Sequence, residues 1–242
     1  MISIIVANWW AKDWVDILCK SIKNTMSTKD YEIIIIDNSK ELNEKNIKEE
    51  CIPNALAKLR VIKPEKNLGH GQGVNFGIWQ AKGDYIFIVD VDAFFLLKDW
   101  DKLILDYFIK NKLKLIACRG GSLKPIRPCG MFFERDWYIN NQMDFKAQHF
   151  NGVKFDVGIH FYFKTLSLTE GKDVEFFPYM KTKFEDVCGS EYIFGGNRFL
   201  YHNYYSTRWF NIKGVRVHER IGSMDWDKFK RSKNNLFKQI NK

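Results

Sequence analysis

Tyr85-Ile86-Phe87-Ile88-Val89-Asp90-Val91-Asp92 is the stretch that decides the fold. Its first five residues are apolar without interruption, whereas a strand with one wet face would alternate apolar with polar. The run therefore reads as a strand covered on both faces, closed by two carboxylates one residue apart. Working upstream, Ile2 to Ala7, Tyr31 to Asp37 and Leu59 to Ile62 repeat the buried-strand pattern. Between them Trp14, Ile17, Leu18 and Ile22 fall at helical spacing, residues 41–58 read as a charged helix interrupted at Pro53, and residues 71–81 read as helix. Downstream, residues 100–109 carry Leu103, Ile104, Tyr107 and Phe108 on one side of a helix, and residues 113–118 return to strand.

Strands alternating with helices at this spacing predict an α/β domain, a doubly wound, mostly parallel sheet with helices on both faces. Ligands of such sheets lie beyond the carboxyl ends of the strands, where strand order reverses. The residues to watch are then Asn8, Asp37, Asn38, Lys63, Asp90 and Asp92. After residue 120 the pattern weakens. Gly120-Gly121, Pro125 and Pro128 mark a loop region, residues 156–168 read as helix and residues 174–177 as strand. With 242 residues and no linker-like or low-complexity segment, one domain is expected. Its parts are residues 1–118, an irregular half over residues 119–223, and a basic amphipathic tail over residues 224–242 that lies on the body or on an anionic surface.

Five cysteines, widely spaced and with no CxxC pair, indicate neither a zinc site nor a disulfide framework. They fit a reducing cytosol. The start reads directly into a strand rather than a leader, and no run reaches the length of a membrane span. A cytoplasmic protein is expected, or one peripheral to the inner face of a membrane. The formal charge of +9 points to an acidic substrate, an anionic surface or nucleic acid. Aromatic residues crowd the second half; most belong in the core, and a minority suit a groove for a sugar or a base.

Asp90 and Asp92 at a ligand-binding strand end cost free energy unless a cation joins them, and such oxygen ligands suit Mg²⁺ or Mn²⁺. The alternative is a cap: Asp92 for a helix starting near Ala93, with Asp99 as a surface acid. Gly69, Gly71 and Gly73 either form a tight turn that brings backbone amides to an anion at a helix start or mark a flexible loop.

Four elements in order, Ser3 to Asn8, Glu32 to Ser39, Asn67-Leu68-Gly69 to Asn75-Phe76-Gly77, and Gly83 to Asp92, resemble the nucleotide-binding half of glycosyltransferase family 2, with the GT-A fold. The resemblance implies a metal-dependent inverting glycosyltransferase with a nucleotide-diphospho-sugar donor and Mn²⁺ or Mg²⁺. It implies Asp37 near the base, Asp90 near the ribose, and Asp92 on the metal. Ala7 and Asn8 would line the nucleotide pocket, with Asn38, Asn67, Gly69 and Asn75 on the same donor side. Residues 129–136 are similar to the family's acceptor-side strand. Asp156, in Phe155-Asp156-Val157-Gly158, stands where many members place a carboxylate opposite the donor, so it is the expected base, or else the cap of the helix that follows. Glu185 and Asp186 are its rivals. Tyr201 to Arg208 resembles a late histidine segment, implying His202 as a further metal ligand and Arg208 as a phosphate clamp; His218 is the alternative, and His70, His149 and His160 rank below.

The resemblance implies a glycan or lipid-linked glycan acceptor, and the charge adds a modified nucleic-acid base as a rarer one. Asn8 to Lys12 lacks the Gly-rich basic loop of sugar nucleotidyltransferases, which argues against that class. A non-catalytic module for nucleic acid or a membrane surface is the remaining alternative.

Overall fold

The apolar runs become strands and the spaced apolar residues become helices. The computed structural model describes residues 1–51, 58–120, 126–147, 149–150, 153–154, 157–184 and 187–203. In chain order the elements are β1 (Ile2–Asn8), α1 (Lys12–Thr25), β2 (Tyr31–Asp37), α2 (Glu44–Cys51), β3 (Lys58–Ile62), α3 (Gly69–Gln80) and β4 (Tyr85–Val89). Then come β5 (Ala93–Phe95), α4 (Trp100–Lys110), β6 (Leu115–Arg119), β7 (Ile126–Glu134), α5 (Arg135–Asn140), β8 (His149–Phe150) and β9 (Val153–Lys154). Last are α6 (Ile159–Thr169), β10 (Val174–Phe177), β11 (Tyr179–Phe184), β12 (Val187–Phe194) and β13 (Asn197–Asn203).

The central sheet has the order β10-β6-β7-β4-β1-β2-β3. β1 runs parallel to β2 and β4, β2 to β3, and β10 to β6; only β7, between β4 and β6, is antiparallel to its neighbours. Strand order therefore reverses between β1 and β4, which opens a crevice at their carboxyl ends. The uninterrupted apolar runs have their reason in the two cores. Ile4, Val6, Ile33, Ile35, Phe87 and Val89 face Trp14 and Leu18 of α1 and Trp100 and Ile104 of α4. Their sequence neighbours Ile5, Ile34, Ile36, Ile86 and Ile88 face Val74 and Ile78 of α3, Tyr138 of α5 and Phe161 of α6.

Glycines let α3 lie close on that second face. A side chain at Gly77 would meet Ile5 Cγ2 at 2.5 Å, and one at Gly71 would strike the carbonyl of Phe145. Gly69 opens the helix at φ +72, a conformation in which a Cβ is strained. The glycine segment is thus a helix packed on the sheet, not the flexible loop that its composition also allowed.

The second half holds more regular structure than its sequence pattern predicts. β7 runs through Pro128, in the span marked above as loop, and β11-β12-β13-β5 form a separate antiparallel sheet. Pro128 is tolerated because the ladder slips there: Ala117 pairs with Met131 but Cys118 with Arg127, so Pro128, Cys129 and Gly130 are extra residues on the β7 side. Most of the described second-half aromatics are core, as expected; Phe132, Phe133, Phe161, Phe177 and Phe199 are fully buried. Among the described residues no helix is long and apolar enough to cross a membrane.

Candidate active site

The chain leaves the central sheet at Asp90. β4 ends at Val89, and after a turn in which Ala93 N–H donates to Asp90 O at 3.1 Å, β5 joins the second sheet. There it pairs antiparallel with β13, setting Ala93 opposite His202. A further bond from Asn203 N–H to Asp92 O, 2.9 Å, locks the junction. Asp92 therefore caps no helix, because a strand follows it.

This pairing gathers three side chains. His202 Nε2 lies 3.3 Å from Asp92 Oδ1 and 3.4 Å from Asp90 Oδ2. One ligand atom from each residue fits within 4.8 Å of the others, and this is the one such His/Cys/Asp/Glu group among the described residues. Asp92 is 5% exposed and His202 9%, while the Asp90 side chain keeps 19% of its surface open. A fourth group arrives from α3: His70 Nε2 stands 3.2 Å from Asp90 Oδ1.

Electrostatics show what the cluster attracts. Burial disfavours a charged Asp90, but the charges and hydrogen bonds of His70 and His202 outweigh it and hold the carboxyl well below the usual range. Burial likewise disfavours a cationic His202, yet Cys129, Asp92 and Asp90 push the imidazole well above its ordinary value. Two close carboxylates thus draw in positive charge, and without a metal protonated histidine supplies it. Two carboxylates and an imidazole fit Mn²⁺, which accepts both, and suit Mg²⁺ less, since that ion prefers oxygen throughout.

Across the crevice, at the ends of β1 and β2, a second polar cluster is bonded within itself. Asn8 Nδ2 donates to Asp37 Oδ1 at 3.0 Å, with Ser39 Oγ and Glu41 Oε1 both at 3.1 Å. Asp37 also accepts from Ser39 Oγ at 2.8 Å and from Leu42 N–H at 2.9 Å, and it is fully buried. Asn38 Oδ1 takes the Leu68 N–H at 2.9 Å, and Asn67 Oδ1 takes the Gly69 N–H at 2.7 Å. The amides of residues 68 and 69, at this helix start, are thus bound by side chains. Asn75 is spent elsewhere too: its Oδ1 accepts from Tyr138 Oη at 2.7 Å and Phe145 N–H at 2.9 Å, and its Nδ2 donates to Asp144. It ties α3 to the loop after α5. Ala7, half-buried, lies under Gly73 of α3.

Asp156, Glu185, Asp186, Arg208, His218 and the tail over residues 224–242 lie outside the described residues. Gly158, at φ +81, occupies the cap position of α6. Sequence reasoning ranked His70 below His202 and His218, although it follows Gly69 directly at the start of α3. It also passed over Ser39, Glu41 and Cys129; the first two follow the Asp37-Asn38 strand end, whereas no sequence signal marks Cys129.

The comparisons with known proteins agree with this architecture. The model of Glycosyl transferase family 2 matches residues 3–159, and the chain belongs to that family. It is 27% identical over 159 residues to the dolichyl-phosphate beta-glucosyltransferase of Dictyostelium discoideum, covering 63% of this chain and 44% of that protein. The chain thus spans less than half the length of that relative. Among solved structures it is similar to the mannosyltransferase PcManGT from Pyrobaculum calidifontis in complex with GDP-Man and Mn²⁺, with a TM-score of 0.59 and 14% identity over 73% of this chain and 54% of that one. It is also similar to S. aureus TarS 1-349 in complex with UDP, with a TM-score of 0.50 and 17% identity over 60% of this chain and 50% of that one. At such identities the likeness is one of fold, and the fold is GT-A.

Proposed function

We propose that the chain transfers a glycosyl group, with inversion, from a nucleotide-diphospho-sugar to an acceptor hydroxyl, using Mn²⁺ or Mg²⁺. The observation that carries this reading is the Asp90, Asp92 and His202 cluster at the reversal point of a family 2 sheet. Asp92 and His202 hold the ion, with Asp90 shared between it and the donor ribose. A divalent ion held there would supply charge stabilisation to the diphosphate of the donor and of the leaving nucleoside diphosphate. Asn8, Asp37, Asn38 and the turn at Asn67 to Gly69 shape the wall where the nucleoside lies, and Arg208 clamps the phosphates. The solved neighbour whose complex holds GDP-Man and Mn²⁺ supports a donor and an ion of this kind.

Asp156 takes the proton from the acceptor hydroxyl in this reading, ahead of Glu185 and Asp186. Supporting it, Asp156 falls inside the span matched by the family, residues 3–159, and the rivals fall outside. The name of the curated relative, a dolichyl-phosphate glucosyltransferase, favours a lipid-linked acceptor over a free glycan. A lipid acceptor would bring the basic tail over residues 224–242 to an anionic surface, at the cytoplasmic face of a membrane. The whole chain acts as one domain, with the donor half over residues 1–118 and the acceptor half over 119–223.

The test is a thermal-shift panel of nucleotide-sugars with Mn²⁺, Mg²⁺ or EDTA, followed by transfer assays with the donor that binds. Stabilisation that needs both donor and ion is the expected result. A donor bound equally well in EDTA removes the metal from the mechanism. Asp156→Asn, with the donor still bound and transfer lost, identifies the base; unchanged transfer moves the role to Glu185 or Asp186.

A further inference from the structure

The polar cluster at the ends of β1 and β2 holds one carboxylate that is spent and one that is not. Asp37 is fully buried, with Oδ1 taken by Asn8 Nδ2 and Ser39 Oγ and Oδ2 by the Leu42 N–H. Asn8 is 1% exposed, and its Oδ1 accepts the Ala11 N–H at 3.2 Å. Ser39 Oγ gives its one proton to Asp37 and accepts the Trp10 N–H at 3.1 Å. The hydrogen bonds of these three side chains close on the protein itself. Glu41 differs. It is half-buried, its Oε1 accepts from Asn8 Nδ2 at 3.1 Å, and no lysine or arginine among the described residues pairs with it. Its Oε2 meets no donor among the described residues and is accessible at the crevice wall.

A half-buried carboxylate without a cation calls for N–H donors. Both of its oxygens accept, so two donors side by side suit it best. Of the common nucleobases guanine alone carries such a pair, N1–H beside the 2-amino group. Uracil has one imino N–H between two carbonyl oxygens, and adenine and cytosine set an amino group beside a ring-nitrogen lone pair. In each of those an acceptor faces the second carboxylate oxygen, which costs affinity. We infer that Glu41 is the specificity-determining residue for the donor nucleotide, its carboxylate pairing with the N1–H and 2-amino group of guanine. The inference rests on the nucleoside lying against this wall, as in the function proposed above. Asn8 steadies the carboxylate through Oε1, whose second lone pair remains for the base. Asp37, sealed beneath, orients Asn8 and touches no base.

The experiment is calorimetric titration of the full chain, with Mn²⁺ present and without turnover, by GDP, inosine diphosphate and UDP. Inosine diphosphate keeps N1–H and lacks only the 2-amino group. The parent should bind GDP about tenfold or more tightly than either competitor, the scale of one charge-assisted hydrogen bond. Glu41→Gln keeps an acceptor for Asn8, and its amide offers a donor where guanine presents one. GDP affinity should then fall about tenfold, while UDP affinity should not fall, because a donor and an acceptor together match uracil. Inosine diphosphate or UDP bound as tightly as GDP by the parent overturns the inference, and so does a GDP preference that survives Glu41→Gln. Equal losses for GDP and UDP in the variant also overturn it, because the cause is then the packing of Asn8. If the parent binds none of the three, the donor reading itself fails, and this inference with it.

Discussion

The two ends of the central sheet treat a carboxylate in opposite ways. At the amino end Glu32 is 1% exposed and satisfied. Its Oε1 accepts from Ser3 Oγ at 2.7 Å and Lys82 N–H at 2.6 Å, and its Oε2 from Arg60 Nη2 at 3.0 Å. At the carboxyl end Asp90 and Asp92 stand together, and the nearest basic groups are two imidazoles. Both ends belong to the same sheet, so burial alone does not separate a structural carboxylate from a reactive one. The difference lies in permanence. Arginine and backbone N–H groups cannot leave Glu32, whereas a histidine yields its proton when a better cation arrives.

The largest effect expected is at the carboxyl end. Asp92→Asn should lower transfer by about 10³-fold or more, since the cation supplies several kcal/mol of charge stabilisation. Its urea midpoint should not fall, because the change relieves like-charge repulsion; a less stable variant would show that Asp92 is structural. At the amino end the pattern reverses: Glu32→Ala should destabilise by about 2–3 kcal/mol and leave turnover per folded molecule unchanged. That figure stays modest because Arg60 is 33% exposed and water screens the pair. Urea unfolding and a rate per folded molecule separate the two outcomes, and a rate loss without a stability loss would erase the contrast.

Next in size is Gly77→Ala, between the two ends. Its methyl group would press on Ile5 Cγ2 and lift α3 from the sheet, costing about 1–3 kcal/mol by thermal or urea unfolding. The smallest effect is acid sensitivity. Burial raises the Glu32 pKa, but Ser3, the Lys82 N–H and Arg60 outweigh it, so the folded value lies below the ordinary one. Glu32 therefore stabilises the fold above the unfolded carboxylate pKa, and this contribution disappears as pH falls through the folded value. Below about pH 4 the parent should lose stability more steeply than Glu32→Gln. Parallel acid limbs in the two proteins would show that Glu32 gains nothing from its partners.

Much of the first half is legible in sequence because local chemistry and tertiary role coincide there. Tyr31–Asp37 and Tyr85–Val89 are found with the bounds their apolar runs suggest, since both faces of those strands are covered. β11, β12 and β13 escaped notice because short strands with mixed charged and aromatic residues carry weak periodicity. β7 was hidden by Pro128, which only a bulge accommodates. At the site Asp90 and Asp92 were readable from their strand end, and the resemblance suggested His202. The resemblance implied Asn75 as a donor-side residue, yet its amide is engaged by Tyr138, Phe145 and Asp144.

By itself the sequence determined an α/β chain with two acids ending a doubly covered strand, because β-branched runs and helical spacing act over a few residues. Tertiary structure alone decided that His202 stands beside Asp92, through the pairing of β5 with β13. Strand pairing between distant segments depends on register and on which faces remain to be covered, and neither quantity is local.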